Sequence, residues 1–175
     1  MIPEEAYEYA LKHGPSKKTR KIVCQNAFWA YLYAIDVDKK PRNNTRKAVC
    51  KNSTHANSYA IHVDQKPRND TRKAACKSPK NAHRYAMLVD SKPRGDTRKA
   101  ACKSPYYAYR YAILIDQKSR KDTRKAVCKS PYYAYWYAKY LDKEFHEDTW
   151  EAVKGTKYEE EYNKFLNQID KEKII

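Results

Sequence analysis

The chain has 175 residues, 33% of them charged, and a formal net charge of +16. That length fits one domain or one short repeat array, and the absence of a run of ~18 apolar residues argues against a membrane-spanning helix. With three glycines and no H-E-x-x-H, Walker or G-x-S-x-G motif, neither an enzyme nor a cofactor is expected.

In chain order, the first element is a lone helix with acidic substitutions. It opens Pro3-Glu4-Glu5-Ala6-Tyr7-Glu8-Tyr9-Ala10, as an N-terminal cap over residues 1–18. The first five residues have no basic start and no apolar core, so a signal peptide is not expected. From Thr19 onward the chain repeats every 26 residues. Thr-Arg-Lys recurs at Thr19, Thr45, Thr71, Thr97 and Thr123, and the frame continues to Thr149. Cys24, Cys50, Cys76, Cys102 and Cys128 keep the same step. A fixed period in this range is the mark of a stacked array. The expected organisation is one all-α domain, an α-solenoid of five two-helix repeats (19–44, 45–70, 71–96, 97–122 and 123–148) between the N-terminal cap and a C-terminal cap over 149–175.

Repeat 97–122 shows the expected unit. Asp96 is the predicted N-cap of a first helix, A, running from Thr97 to Lys103. Ser104-Pro105 restarts the chain, serine as N-cap and proline at the first helical position. A second helix, B, follows over about 105–116, with Ala108, Tyr111, Ala112 and Ile115 as its buried stripe at i, i+3, i+4 and i+7. A return loop closes the unit, and Pro41, Pro67 and Pro93 are the expected helix stops in other repeats. The stripe recurs as Ala30, Ala56, Ala82, Ala108 and Ala134; Tyr33, Tyr59, Tyr85, Tyr111 and Tyr137; and Ala34, Ala60, Ala86, Ala112 and Ala138. At the far end Gly155-Thr156 breaks the frame. Tyr158, Tyr162, Phe165, Leu166 and Ile169 then form the stripe of a longer capping helix.

The excess charge lies in the array: +3 in each of the first two repeats, +5 in each of the next two, +1 in the fifth. A basic stripe of this kind favours a polyanion: nucleic acid, a ribonucleoprotein or an acidic protein face. Each repeat places two lysines on helix A at i and i+4: Lys47/Lys51, Lys73/Lys77, Lys99/Lys103 and Lys125/Lys129, with Lys21 in the first. Like charges at this spacing cost a few tenths of a kcal/mol, and four repeats carry the pair. The pattern reads either as a phosphate-binding track or as a solvated face. Eight such lysines on phosphates give an expected log–log salt slope of about −6 to −7.

Arg20, Arg46, Arg72, Arg98 and Arg124 share a second slot, and Asp38, Asp64, Asp90, Asp116 and Asp142 end helix B. A structural ladder of Arg–Asp pairs between repeats is expected. The loop arginines Arg42, Arg68, Arg94 and Arg120 are expected to be free for a ligand. So are Arg84 and Arg110 on helix B.

Variation is concentrated on the outward slots of helix B. They read Phe28, Trp29, Tyr31, Leu32; Thr54, His55, Asn57, Ser58; Lys80, Asn81, His83, Arg84; Tyr106, Tyr107, Tyr109, Arg110; and Tyr132, Tyr133, Tyr135, Trp136. Tyr106, Tyr109, Tyr132, Tyr135 and Trp136 are the candidate specificity face, since aromatics and arginine stack on bases. The competing reading is packing against neighbouring helices. The cysteines, one per repeat beside a small residue, read as half-buried apolar positions in a reducing, cytoplasmic interior, with no metal site expected.

The P-x-x-A-Y-x-Y-A helix, as PYYAYRYA over 105–112 and PYYAYWYA over 131–138, resembles short helical repeats of phage, giant-virus and bacterial proteins over roughly residues 3–148. The resemblance implies the solenoid fold and makes an anti-defence role, such as an anti-CRISPR, an expectation. Three functions stay open: binding of nucleic acid or ribonucleoprotein, inhibition or scaffolding through an acidic protein partner, and a virion or condensing component that neutralises packaged nucleic acid. An anionic membrane is the least expected partner.

Overall fold

The computed structural model describes residues 1–172, with side chains through Ile169, so the last three residues of the expected C-terminal cap lie outside it. Among the described residues the chain is all-helical. It divides into two compact units, Met1–Thr97 and Arg98 onward. The first contains α1 (Pro3–His13), α2 (Lys17–Val23), α3 (Ala27–Leu32), α4 (Asn43–Val49), α5 (Ser53–Tyr59), α6 (Asn69–Ala75) and α7 (Pro79–Tyr85). The boundary falls inside α8 (Gly95–Ala101). The second unit continues with α9 (Pro105–Tyr111), α10 (Lys121–Val127), α11 (Pro131–Tyr137), α12 (Glu147–Val153) and α13 (Glu159–Glu172). Both units stack two-helix repeats in the manner of a solenoid, and α1 and α13 take the capping positions.

The alanine and tyrosine slots are all fully buried, as the stripe predicts. The layer logic is visible in one cluster of the first unit: Tyr59 of α5 packs on Ala30 and Ala34 of the preceding repeat and on Ala48 and Val49 of α4. In the second unit Tyr137 packs the same way on Ala108, Ala112, Ala126 and Val127. Small alanines admit a neighbouring helix closely, and one tyrosine ring fills the space between layers. A further slot that the stripe does not include, Val23, Val49, Ala75, Ala101, Val127 and Val153, is equally inaccessible on helix A. In the C-terminal cap Tyr162 and Phe165 are buried, with Tyr158, Leu166 and Ile169 packed beside them.

Helix A begins two residues earlier than the Asp96 reading predicts. The N-cap positions are Arg42, Arg68 and Arg120, and the aspartate or asparagine before each threonine lies inside the first turn. The reason is a long-range cap. The Tyr59 hydroxyl accepts from the Arg42 N–H at 3.0 Å and lies 2.9 Å from Thr45 Oγ1, which donates to the Arg42 carbonyl at 3.1 Å. Tyr85 with Arg68 and Thr71, and Tyr137 with Arg120 and Thr123, repeat the arrangement. A buried phenol thus satisfies backbone groups that a local side chain ordinarily caps. Serine before proline sits at the N-cap of helix B, but Ser78, Ser104 and Ser130 make no side-chain cap bond, whereas Asn26 and Asn52 do.

Helix B does not stop at proline. It widens into a π-helical turn, such as Ala60–Asp64 or Ala112–Asp116, and ends on a left-handed residue: Lys39, Gln65, Ser91, Gln117 or Lys143, with φ of 51–55°. Gln65 N–H closes this turn onto the Ala60 carbonyl at 2.9 Å. The fourth repeat has Ser119 and the fifth Phe145 where the first three have proline, yet Gln117 and Lys143 adopt the same conformation. None of the five left-handed residues is glycine, and each carries the Cβ clash of that region. Gln65→Gly and Gln117→Gly are each expected to raise stability by about 1 kcal/mol, read as a higher urea midpoint. An unchanged midpoint in both would show that these turns carry no such strain.

Candidate functional site

The two arginine sets have different fates. The helix A arginines are structural, and their pairs close within a repeat's own hairpin rather than between repeats. Arg46 donates through Nε and Nη2 to Asp64 at 2.8–3.0 Å, and both residues are buried. Arg98 binds Asp116 at 2.7 and 2.8 Å. Arg20 pairs with Asp38, and Arg124 with Asp142. Arg72 binds Asp90 at 3.0 Å and also reaches Asp96, at the start of the next helix A, at 2.9 Å; Arg98 with Asp122 at 3.6 Å and Arg124 with Asp148 at 4.0 Å make the same forward link. The pairs hold most of these guanidinium groups more firmly protonated than usual. Burial pushes the Asp90 and Asp142 carboxyls up against the pull of their arginines.

The loop arginines are partly engaged. Arg94 Nε lies 3.8 Å from Asp96, Arg120 Nε 4.0 Å from Asp122, and Arg68 Nε is buried without a hydrogen-bond partner. Arg120 also lines an open cavity of about 470 Å³ with Lys118 and Lys121. Arg84 and Arg110 are half-buried on α7 and α9.

The lysine slots differ. Lys21, Lys47, Lys51, Lys73 and Lys77 in the first unit, and Lys99, Lys103, Lys125 and Lys129 in the second, are all exposed. None forms an ion pair among the described residues. The second lysine of each pair lies just beyond the α-helix, not within it. α4 ends at Val49, and the Lys51 N–H bonds the Ala48 carbonyl in a tightened turn. This position meets the negative end of the helix dipole and offsets part of the like-charge cost. Lys51 acts electrostatically on Cys24 of the previous repeat, as Lys77 does on Cys50 and Lys129 on Cys102, so the lysines advance in step with the stack inside each unit.

The cysteines are half-buried, and none is in a disulfide. Burial pushes the Cys24, Cys50 and Cys102 thiols from the ordinary 9.0 to about 11, and Cys128 to about 12. Raised folded values make this contribution to stability full below the unfolded value and lost as pH rises through about 11. At about pH 8 the native thiolate fraction falls about 100-fold at Cys24, Cys50 and Cys102, and further at Cys128. Iodoacetamide should therefore label these four sites in the native protein at least about 100-fold more slowly than in urea, Cys128 slowest, and equal rates would contradict the burial.

The candidate specificity face is only partly a surface. Tyr135 is 6% exposed, and Asn57 and His83 in the equivalent slot are also buried. One slot inserts between two residues of the preceding repeat. Tyr133 lies 5.9 Å from Tyr106 and 5.7 Å from Tyr109 between ring centroids; His55 meets Phe28 and Tyr31; Asn81 donates to Ser53 and Thr54 at 3.1 and 3.2 Å. Much of the variation is therefore neighbour-matching between repeats. Tyr106, Tyr132 and Trp136 remain at a groove, with Tyr109 in its wall. Tyr140 joins them there, and Lys139 Nζ lies over the Trp136 ring, 5.5 Å from its centroid. The sequence signal for Tyr140 was its i+4 spacing from Trp136, on which it stacks.

Comparison with protein-family models, curated proteins and solved structures found no match. The surface itself therefore carries the functional reading. No described helix is long and apolar enough to cross a membrane.

Proposed function

We propose that the chain is a non-enzymatic binder of nucleic acid or ribonucleoprotein that holds phosphates through its lysine rows. One observation carries this reading: the cations divide by role. The helix A arginines are drawn into buried or half-buried pairs with aspartate. All nine slot lysines stay exposed and without an ion-pair partner among the described residues. A flexible, strongly hydrated ammonium is a suitable point contact for a phosphate and is indifferent to base sequence.

The test is a titration with single- and double-stranded DNA and RNA at two salt concentrations, alongside polyglutamate. The expected result is an affinity for nucleic acid that falls steeply with salt and exceeds that for polyglutamate. Weak binding without a salt slope overturns the reading, and a preference for polyglutamate shifts it to an acidic protein partner.

A further inference from the structure

The second unit carries a groove of about 380 Å³ walled by Tyr106, Tyr109, Arg110, Tyr132, Trp136 and Tyr140. Three of these rings stay open to solvent: Tyr106 is 38% exposed, Tyr132 45% and Tyr140 51%. The rings are held in place. Trp136 and Tyr140 stack with centroids 5.4 Å apart and planes within 6°. Tyr132 stands edge-on to Trp136 at 6.2 Å, and Tyr133 braces Tyr106 and Tyr109 from the next repeat. Arg110 lines the groove, and Lys139 stands over the indole of one of its walls. Arg110 donates to the Tyr106 hydroxyl at 3.1 Å, and Lys139 Nζ lies 5.5 Å from the Trp136 centroid. No carboxylate lines it, and neither cation has a carboxylate partner within salt-bridge distance among the described residues. None of the slot lysines reaches it, so it is a site separate from the lysine rows.

We propose that this groove takes unstacked bases of a single-stranded nucleic acid, with Arg110 and Lys139 meeting the adjoining phosphates. The inference rests on the polyanion reading and adds a strand preference to it. Flat aromatic faces match any base and require one freed from a duplex. A cationic rim without an acidic group selects an anionic occupant. A proline-rich peptide, the other usual guest of aromatic grooves, offers no phosphate for these cations to meet.

The test compares wild type with Tyr106→Ala/Tyr132→Ala and Tyr106→Phe/Tyr132→Phe on a short oligothymidylate, on a duplex of equal length and on a proline-rich peptide, with circular dichroism to confirm the fold. Wild type should prefer the single strand; the alanine variant should lose about 10- to 100-fold on it while staying within about twofold on the duplex, and phenylalanine should restore it. Unchanged single-strand affinity in the alanine variant overturns the inference, as does peptide binding that depends on these tyrosines while single-strand binding does not. A parallel variant, Lys99→Gln/Lys103→Gln/Lys125→Gln/Lys129→Gln, keeps the two ideas apart. If it weakens both nucleic acids and the alanine variant weakens neither, the lysine reading stands and the groove proposal falls.

Discussion

Asp64→Ala is expected to destabilise the protein by about 3–5 kcal/mol, one of the largest single-residue effects the structure supports. The substitution leaves the Arg46 guanidinium buried with Asn43 Oδ1, at 2.9 Å, as its remaining hydrogen-bonded side chain. The penalty comes from the uncompensated charge, not from the value of the pair. Asp64→Leu combined with Arg46→Met should therefore recover most of the loss, because two apolar side chains of similar volume need no solvation. Asp70 is the control. It is exposed and accepts one bond, from the Thr71 N–H at 2.8 Å, so Asp70→Ala should cost about 1 kcal/mol or less. Urea midpoints and m-values measure all three. Loss in Asp70→Ala equal to that in Asp64→Ala would remove the special role of the buried pair.

Replacing Lys47, Lys51, Lys73 and Lys77 by glutamine should reduce the log–log salt slope for duplex DNA by about 3.6, at about 0.9 per phosphate contact. At 0.1 M salt that corresponds to roughly three orders of magnitude in affinity. The side chains are exposed, so the unfolding midpoint should barely move. The equivalent four replacements at Lys99, Lys103, Lys125 and Lys129 make the comparison informative. If one ligand engages both rows, the wild-type slope is about −8 and each variant removes about half of it. If each row binds alone, the wild-type slope is about −4 and at least one variant leaves it nearly unchanged. A wild-type slope that neither variant alters would assign the charge effect to other cations, the loop arginines first.

The candidate site was less legible than the fold, and particular residues show why. Tyr106 and Tyr135 occupy outward slots of equivalent helices, yet one is open and the other is buried against the next layer. An outward helical face says only that a side chain leaves its own core stripe. Whether it meets water or the next repeat depends on how the layers are offset, which no single repeat encodes. The same offset makes His55, Asn81 and Tyr133 answer to the residues of the repeat before them.

By itself the sequence determined the repeat length, the all-helical class, the buried alanine and tyrosine slots, the exposed lysines and the capping role of both ends. These follow from periodicity, because burial along a helix recurs with its turn and needs no knowledge of the neighbour's identity. Only the tertiary structure decided where helix A begins, since Tyr59 reaches back across 14 residues to Thr45 to build the cap. It also decided that Arg46 pairs inside its own hairpin, with an aspartate 18 residues away. It alone placed the helix stop at a left-handed residue ahead of proline, and joined Arg110, Tyr132 and Tyr140 in one groove. Each of those outcomes is a contact between distant segments, where geometry chooses among partners that local propensity treats as equal.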